Sequence, residues 1–248
     1  MMHDIECPAP SAPFALRPFG ARMDDLDVDF TAPRPYVITD VLERCASGTT
    51  AEVLWDLTAG QRIAALLNLA SVGGIRKFDM EFACPQCGMD GEVVLESQEL
   101  LQAATRADFG PVTVRNGMQT GLYRLPTGRD QAQWLGEDHE DEGSLLTRMI
   151  ASLRVAGDAD SSAIEAALDA ADPLVRTVVT SQCPQCGHAA EREFDVVEHA
   201  LRRLEAEQHR LLSGVHLLAS RYHWSEGDIS ALPSWRRERY LDLLRGEN

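Results

Sequence analysis

One pentapeptide occurs twice in this chain, as Cys84-Pro85-Gln86-Cys87-Gly88 and as Cys183-Pro184-Gln185-Cys186-Gly187. Each copy is flanked by short alternating segments. Phe78, Met80 and Phe82 alternate with Asp79 and Glu81, and Glu92–Leu95 resumes the pattern after the first copy. The order recurs at 176–181 and 190–194 around the second. Alternation with period two is the mark of a half-buried strand, so each pentapeptide is expected to be the turn of a hairpin. In such a turn the two sulfurs converge, and the following glycine supplies the left-handed backbone that the turn requires. Two turns of this kind make a set of four thiols. The set suits a zinc ion, which favours four soft donors in a tetrahedron. Cys84, Cys87, Cys183 and Cys186 are therefore the expected ligands of one structural zinc per chain. Loop-closure entropy grows only logarithmically with length, so the long separation of the two copies is tolerable.

The rival uses of C-x-x-C fit less well. A redox motif of the thioredoxin kind sits at a helix start, where the thiol pKa falls; here strands follow both copies. A catalytic zinc keeps an open position, and four cysteines close the shell. Cys7 and Cys45 are isolated in sequence and stand outside the set.

The rest of the 248 residues divides around these hairpins. Residues 1–35 carry prolines at 8, 10, 13, 18, 33 and 35 and an acidic run at Asp24, Asp25, Asp27 and Asp29, which reads as a flexible arm. Residues 36–74 read as helices, with order beginning near Tyr36 and a short helix over 39–46. Capping boxes are expected at Thr49-Thr50-Ala51-Glu52 and at Thr58-Ala59-Gly60-Gln61, and Gly73-Gly74 is the stop. Residues 75–100 and 174–194 form a split zinc ribbon. Between them, 101–173 reads as an α/β insertion with a helix over 97–106 at its entry. It holds strands at 112–115 and 121–125, a capping box at Thr127 with Asp130, an acidic loop at 137–143, and helices at 144–154 and 162–171, the last capped by Ser162 and Glu165. Residues 195–248 are helical. There Val197, Leu204, Leu211 and Leu218, with Leu201, Val215 and Tyr222, make an apolar seam that only Gln208 interrupts. Such a seam resembles a short coiled coil or a helix laid along a groove. Ser225 with Asp228, and Ser234, are expected caps for two further helices. The fold class expected is α+β, mainly helical, with a zinc ribbon on two hairpins and a small β insertion.

Charge restricts function. Thirty-nine acids against 23 bases leave a net charge of −16, which disfavours nucleic acid as a partner. Lys77 is the only lysine, so Schiff-base and P-loop chemistry have a single candidate. No G-x-S-x-G, Walker A, G-x-G-x-x-G or H-E-x-x-H occurs, and no catalytic residue is singled out. No apolar run is long enough for a membrane span, and no secretory leader is seen, which points to the cytoplasm. His209, His216 and His223 recur every seven residues, but two helical turns place consecutive ones about 10 Å apart, too far to share a metal. His188 follows the second pentapeptide and is at most a supporting group. Tyr222, Trp224, Trp235 and Tyr240 cluster near the end. They are either local packing or anchors for a protein partner, since aromatic residues concentrate at binding hot spots.

One family combines these features. A helical lead (Leu54–Leu69) precedes the first F-A-C-P-Q-C-G, and a segment with Arg124-Leu125-Pro126-Thr127 follows. The second C-P-Q-C-G leads into a long helix with Val215-His216-Leu217-Leu218-Ala219. Last come Tyr222-His223-Trp224-Ser225, then Leu232-Pro233, Arg236-Arg237 and Tyr240-Leu241. Over about 40–245 this resembles the baseplate hub assembly chaperones of contractile-tailed phages and of phage-derived contractile injection systems. The resemblance implies a non-enzymatic role, in which the chain holds hub or spike components in the host cytoplasm and either leaves or stays in the baseplate. The alternative from the residues themselves is a zinc-ribbon module for nucleic-acid binding or transcription; a zinc-supported hydrolase is a third and weaker reading.

Overall fold

A computed structural model describes residues 5–6, 14–136 and 142–246. In chain order the elements begin with β1 (Ile5–Glu6), β2 (Ala15–Leu16), a 3-10 turn (Met23–Asp27), α1 (Arg34–Cys45), β3 (Ala46–Ser47), α2 (Ala51–Asp56) and α3 (Ala59–Val72). The first hairpin is β4 (Lys77–Ala83) and β5 (Asp90–Glu96). The insertion follows as α4 (Ser97–Ala104), β6 (Val112–Asn116), β7 (Gln119–Tyr123), α5 (Gly128–Leu135), α6 (Glu142–Leu153), β8 (Arg154–Gly157) and α7 (Ser161–Ala171). The second hairpin is β9 (Thr177–Gln182) and β10 (Ala189–Phe194); α8 (Val196–Tyr222), α9 (Glu226–Ser230) and α10 (Ser234–Arg245) complete the chain. The architecture is α+β, with small antiparallel sheets set among helices. No helix among the described residues is long and apolar enough to cross a membrane.

Helix α3 is the axis of the main core. Its sequence is apolar nearly all round, as a helix enclosed on every side must be. Its start is the expected capping box: the Gln61 N–H donates to Thr58 Oγ1, and the Thr58 N–H donates to Gln61 Oε1 at 2.9 Å. Arg62 is fully buried in this core, without a carboxylate partner among the described residues. It donates to the carbonyls of Leu54 and Pro35 and to Thr39 Oγ1, and lies over the Trp55 ring. Burial without a carboxylate partner pushes its pKa down to about 10.

The reading of 1–35 as a flexible arm does not hold for residues 14–35. Phe14, Leu16, Phe19 and Val28 are buried in the main core. Arg17 makes a bidentate pair with Asp25 at 2.5 and 2.6 Å, both side chains buried, and Asp25 also accepts the Gly20 and Arg22 N–H groups. The acidic run thus contains a buried, fully partnered carboxylate. The segment lies along α8. Gln208 Nε2 donates to the Leu26 and Val28 carbonyls at 2.8 and 2.9 Å. Gly20 adopts a positive φ and presses on Leu211, where an added Cβ would come within 2.2 Å of Leu211 Cδ1. The seam of α8 is consequently core rather than an open groove, and the polar break at Gln208 is the point where it grips irregular backbone.

Smaller differences have local causes. Helix α1 starts at Arg34 instead of 39, since Pro35 in its first turn is pre-set for helical φ. Asp160, one residue before α7, caps it through the Ala163 N–H, displacing Ser162 and Glu165. Pro233 precedes α10, so Ser234 is inside that helix and does not cap it. The box read at Thr49 with Glu52 does not form: the N-cap of α2 is Thr50, one residue later, without a side-chain cap bond, and Thr49 Oγ1 is buried without a partner among the described residues. The boxes at Thr127 and Ser225 form as read. Strand β8 was not anticipated; it joins β6–β7 as a third strand over a small core of Val114, Tyr123 and Ile164. Most of the acidic loop, at 137–141, lies outside the described residues.

Two joints fix the insertion to α3. The Ala59 N–H donates to the Pro126 carbonyl at 2.8 Å, beside a bridge between Thr58 and Thr127. The Gly60 N–H donates to Asp172 Oδ2 at 2.9 Å, and the carboxylate fills the space that a side chain at Gly60 would need. Burial raises the pKa of Asp172 above the ordinary carboxyl value, against the pull of the Gly60 and Leu174 N–H groups.

Candidate metal centre

Each hairpin is antiparallel and in register to its last pair, Ala83 with Asp90 and Gln182 with Ala189. The turns beyond those pairs match bond for bond. The Cys84 N–H donates to the Met89 carbonyl at 2.8 Å and the Gly88 N–H to the Cys84 carbonyl at 2.9 Å. In the second turn the Cys183 N–H donates to His188 and the Gly187 N–H to Cys183, both at 2.9 Å. Gly88 and Gly187 have φ of 73° and 72°, in the left-handed region that the turn demands.

The two turns face each other and bring the four sulfurs together. Cys84 Sγ is 3.7 Å from Cys186 Sγ, and Cys87 Sγ is 3.6 Å from Cys183 Sγ. All four lie within 4.8 Å of one another. Sulfurs about 2.3 Å from a central ion in a tetrahedron would stand about 3.8 Å apart, so the set fits a single metal ion. Cys84 and Cys183 are buried; Cys87 and Cys186 lie at the rim.

The electrostatics suit a cation. The Cys186 and Gln185 N–H groups aim at the Cys183 sulfur and hold its pKa at about 6. The Cys87 and Gln86 N–H groups lower Cys84 in the same way. At Cys87 the Met89 N–H pulls down, but burial and the Cys186 and Cys183 sulfurs outweigh it, and the thiol is pushed up to about 12. Cys186 is also raised, the His188 N–H being outweighed by burial and by the Cys183 and Cys84 sulfurs. In each turn the backbone N–H groups thus favour the thiolate of the first cysteine, the form in which a thiol ligates a metal.

Around the sulfurs, the hairpins touch through side chains that the motif did not reveal. The Arg192 guanidinium lies 3.9 Å from the centre of the Phe82 ring, joining β10 to β4. Phe78 and Phe194 meet at the base with ring centres 6.4 Å apart, both buried. Alternation on β4 and β10 marks Phe82 and Arg192 as facing residues, but the pairing of the strands must be known to see that they meet. His188 contributes backbone groups to the second turn, as described. Arg203 on α8 pairs with Asp79, holding the first hairpin to the long helix.

Compared with known proteins, the chain matches no family model, no curated protein and no solved structure.

The four aromatic partner candidates separate. Tyr222 stacks on Trp224 with centres 4.7 Å apart, and Tyr240 meets both edge-on at 5.7 and 5.1 Å. They close the end of α8 over Leu218, Ile229 and Leu241 and are half-buried. His223 ends α8 with φ 58°, the left-handed cap that lets Trp224 turn back. Trp235 stands apart and is 67 % exposed. A cleft of about 780 Å³, not anticipated from the sequence, opens beside the second hairpin. Ile38, Ile63, Trp134, Met149, Leu174 and Phe194 are among its lining.

Proposed function

We propose that this chain is a non-enzymatic assembly factor for the baseplate hub of a contractile phage tail or related injection system, stapled by one structural zinc ion in a split ribbon. The observation that carries the reading is the union, in one chain and one order, of the paired C-P-Q-C-G turns with the Tyr222-His223-Trp224-Ser225 and Leu232-Pro233 ending. The residues of that resemblance occupy joints of the fold. Arg124 pairs with Asp130 in the box that starts α5, Pro126 accepts from Ala59, and Tyr222, Trp224 and Tyr240 build the end of α8. Zinc is favoured as the metal by four thiolate donors with no open position, which supports a staple rather than a reagent. The factor acts in the host cytoplasm by holding a hub or spike protein.

Co-expression with hub and spike proteins of a contractile tail, followed by pull-down, tests this. Capture of one of them by the zinc-loaded chain, with no turnover of the captured protein, is expected. Capture of none, with salt-sensitive retention of nucleic acid, would replace the reading by a zinc-ribbon nucleic-acid module.

A further inference from the structure

We infer that the outward face of α10 is a docking surface for an acidic protein segment carrying an aromatic or apolar residue. The inference names the partner chemistry for the proposed role, and it rests on the reading that the chain works by holding another protein.

The helix has two distinct faces. Leu241 is buried against Gly214 of α8, and Tyr240 and Leu244 pack on the same small core. Glu238 accepts from Arg210 of α8 at 2.8 Å. These residues fix α10 to the body. Trp235, Arg236, Arg239 and Leu243 all face away and are exposed. Spacings of three and four place them in one stripe. Trp235 and Leu243 are 67 % and 49 % exposed, and the Arg236 guanidinium lies 5.4 Å from the centre of the Trp235 ring.

The charge on the stripe is what selects a partner. Elsewhere Arg34, Arg124, Arg129, Arg176, Arg203 and Arg210 each face a carboxylate of this chain, and Arg22, Arg76, Arg106, Arg115 and Arg221, which form no ion pair among the described residues, lie on or beside separate elements. Among the described residues none forms an ion pair with Arg236, Arg239 or the following Arg245. A chain of net charge −16 thus leaves consecutive turns of one helix uncompensated and positive, beside an exposed tryptophan. A tryptophan with flanking arginines is the composition of a protein hot spot, where one aromatic anchor and a few charges supply most of the binding energy. Nucleic acid and anionic membranes suit it less. Their affinity comes from many phosphates neutralised along an extended basic surface, and each added phosphate also meets the field of the acidic body. That field is screened beyond about 8 Å at physiological salt. A locally acidic protein segment can therefore pair with the stripe at contact distance.

The test uses full-length zinc-loaded protein and a random glutamate–tyrosine copolymer as probe. Polyglutamate, a lysine–tyrosine copolymer, single-stranded DNA and phosphatidylserine vesicles are the comparators. The glutamate–tyrosine copolymer is expected to bind, more tightly than polyglutamate, with affinity falling as salt rises. Trp235→Ala and the pair Arg236→Glu with Arg239→Glu should each weaken it by about tenfold or more. Arg106→Glu, an exposed charge reversal elsewhere, should leave it within about twofold. Unchanged metal content and helicity confirm that the variants are folded. Equal binding by parent and variants, no binding, or preference for DNA or vesicles would overturn the inference. Hub capture that ignores Trp235, Arg236 and Arg239 would overturn it and leave the assembly-factor reading standing. Copolymer binding that depends on the stripe, without hub capture, would do the reverse.

Discussion

The paired hairpins and the segment over 14–35 are both irregular pieces of chain held to the same helical body, and they are held by opposite means. The hairpins bury little. Phe78 and Phe194 are enclosed at their base, while Val94 and Val178 on their strands stay about half exposed. Their turns meet through four sulfurs whose spacing fits one ion. The 14–35 segment has no such staple and is held by Phe14, Leu16, Phe19 and Val28 in the main core, by the buried Arg17–Asp25 pair and by Gln208. A short element with little core needs a covalent or metal link; one that can reach an existing core does not.

The contrast breaks most sharply at the metal ligands. Cys183→Ser should lose the ion and separate hairpins that are 96 positions apart at Cys87 and Cys183. Structural zinc commonly contributes on the order of 10 kcal/mol in apparent binding energy. The variant should be insoluble or cut readily by protease between 100 and 175, and a parent-like melting curve would refute the staple.

Asp25→Ala is the matching test of the other region. It leaves Arg17 buried with an unpaired charge, a loss of about 3–5 kcal/mol. Chemical denaturation should show that loss with the metal content unchanged. If the metal falls in parallel, the two regions are not held independently. Gln208→Ala should cost less, about 1–3 kcal/mol, by stranding the Leu26 and Val28 carbonyls. Protection of amides in 14–30 against hydrogen exchange should fall first.

These regions also differ in how far the sequence reveals them. The hairpins were legible because their signals are local: alternation, a turn glycine, and a repeated donor set. The segment over 14–35 was not, because its order comes from contacts with α8, about 180 residues later in the chain. Prolines and acids there have the composition of a loop, and nothing nearby in sequence tells Asp25, buried with Arg17, from exposed Asp29. The seam of α8 is legible as apolar, but what covers it does not follow from its own residues. Tyr222, Trp224 and Tyr240 were visible as a cluster; that Trp235 alone turns outward depends on the angle at which Leu241 seats α10.

Asp172 gives the smallest effect and sharpens the comparison at the joint between insertion and core. Its folded pKa is raised, so its contribution is fully present below the unfolded carboxyl pKa and is lost as pH rises through the folded value. Asp172→Asn removes that loss. Its stability relative to the parent should therefore grow as pH rises across the carboxyl range and then level off. A relative stability that falls over that range would mean that the ionised carboxylate at Gly60 is favoured overall.

Cys84, Cys87, Cys183 and Cys186 are placed to hold one metal ion between the hairpins. Elemental analysis of tag-free protein, purified without chelator and paired with thiol counting, tests it most directly. One equivalent of zinc per chain is expected, kept when Cys7 and Cys45 are both replaced by serine and lost with any one of the four. Protein that is folded, carries no metal and has all four thiols in disulfides would contradict it.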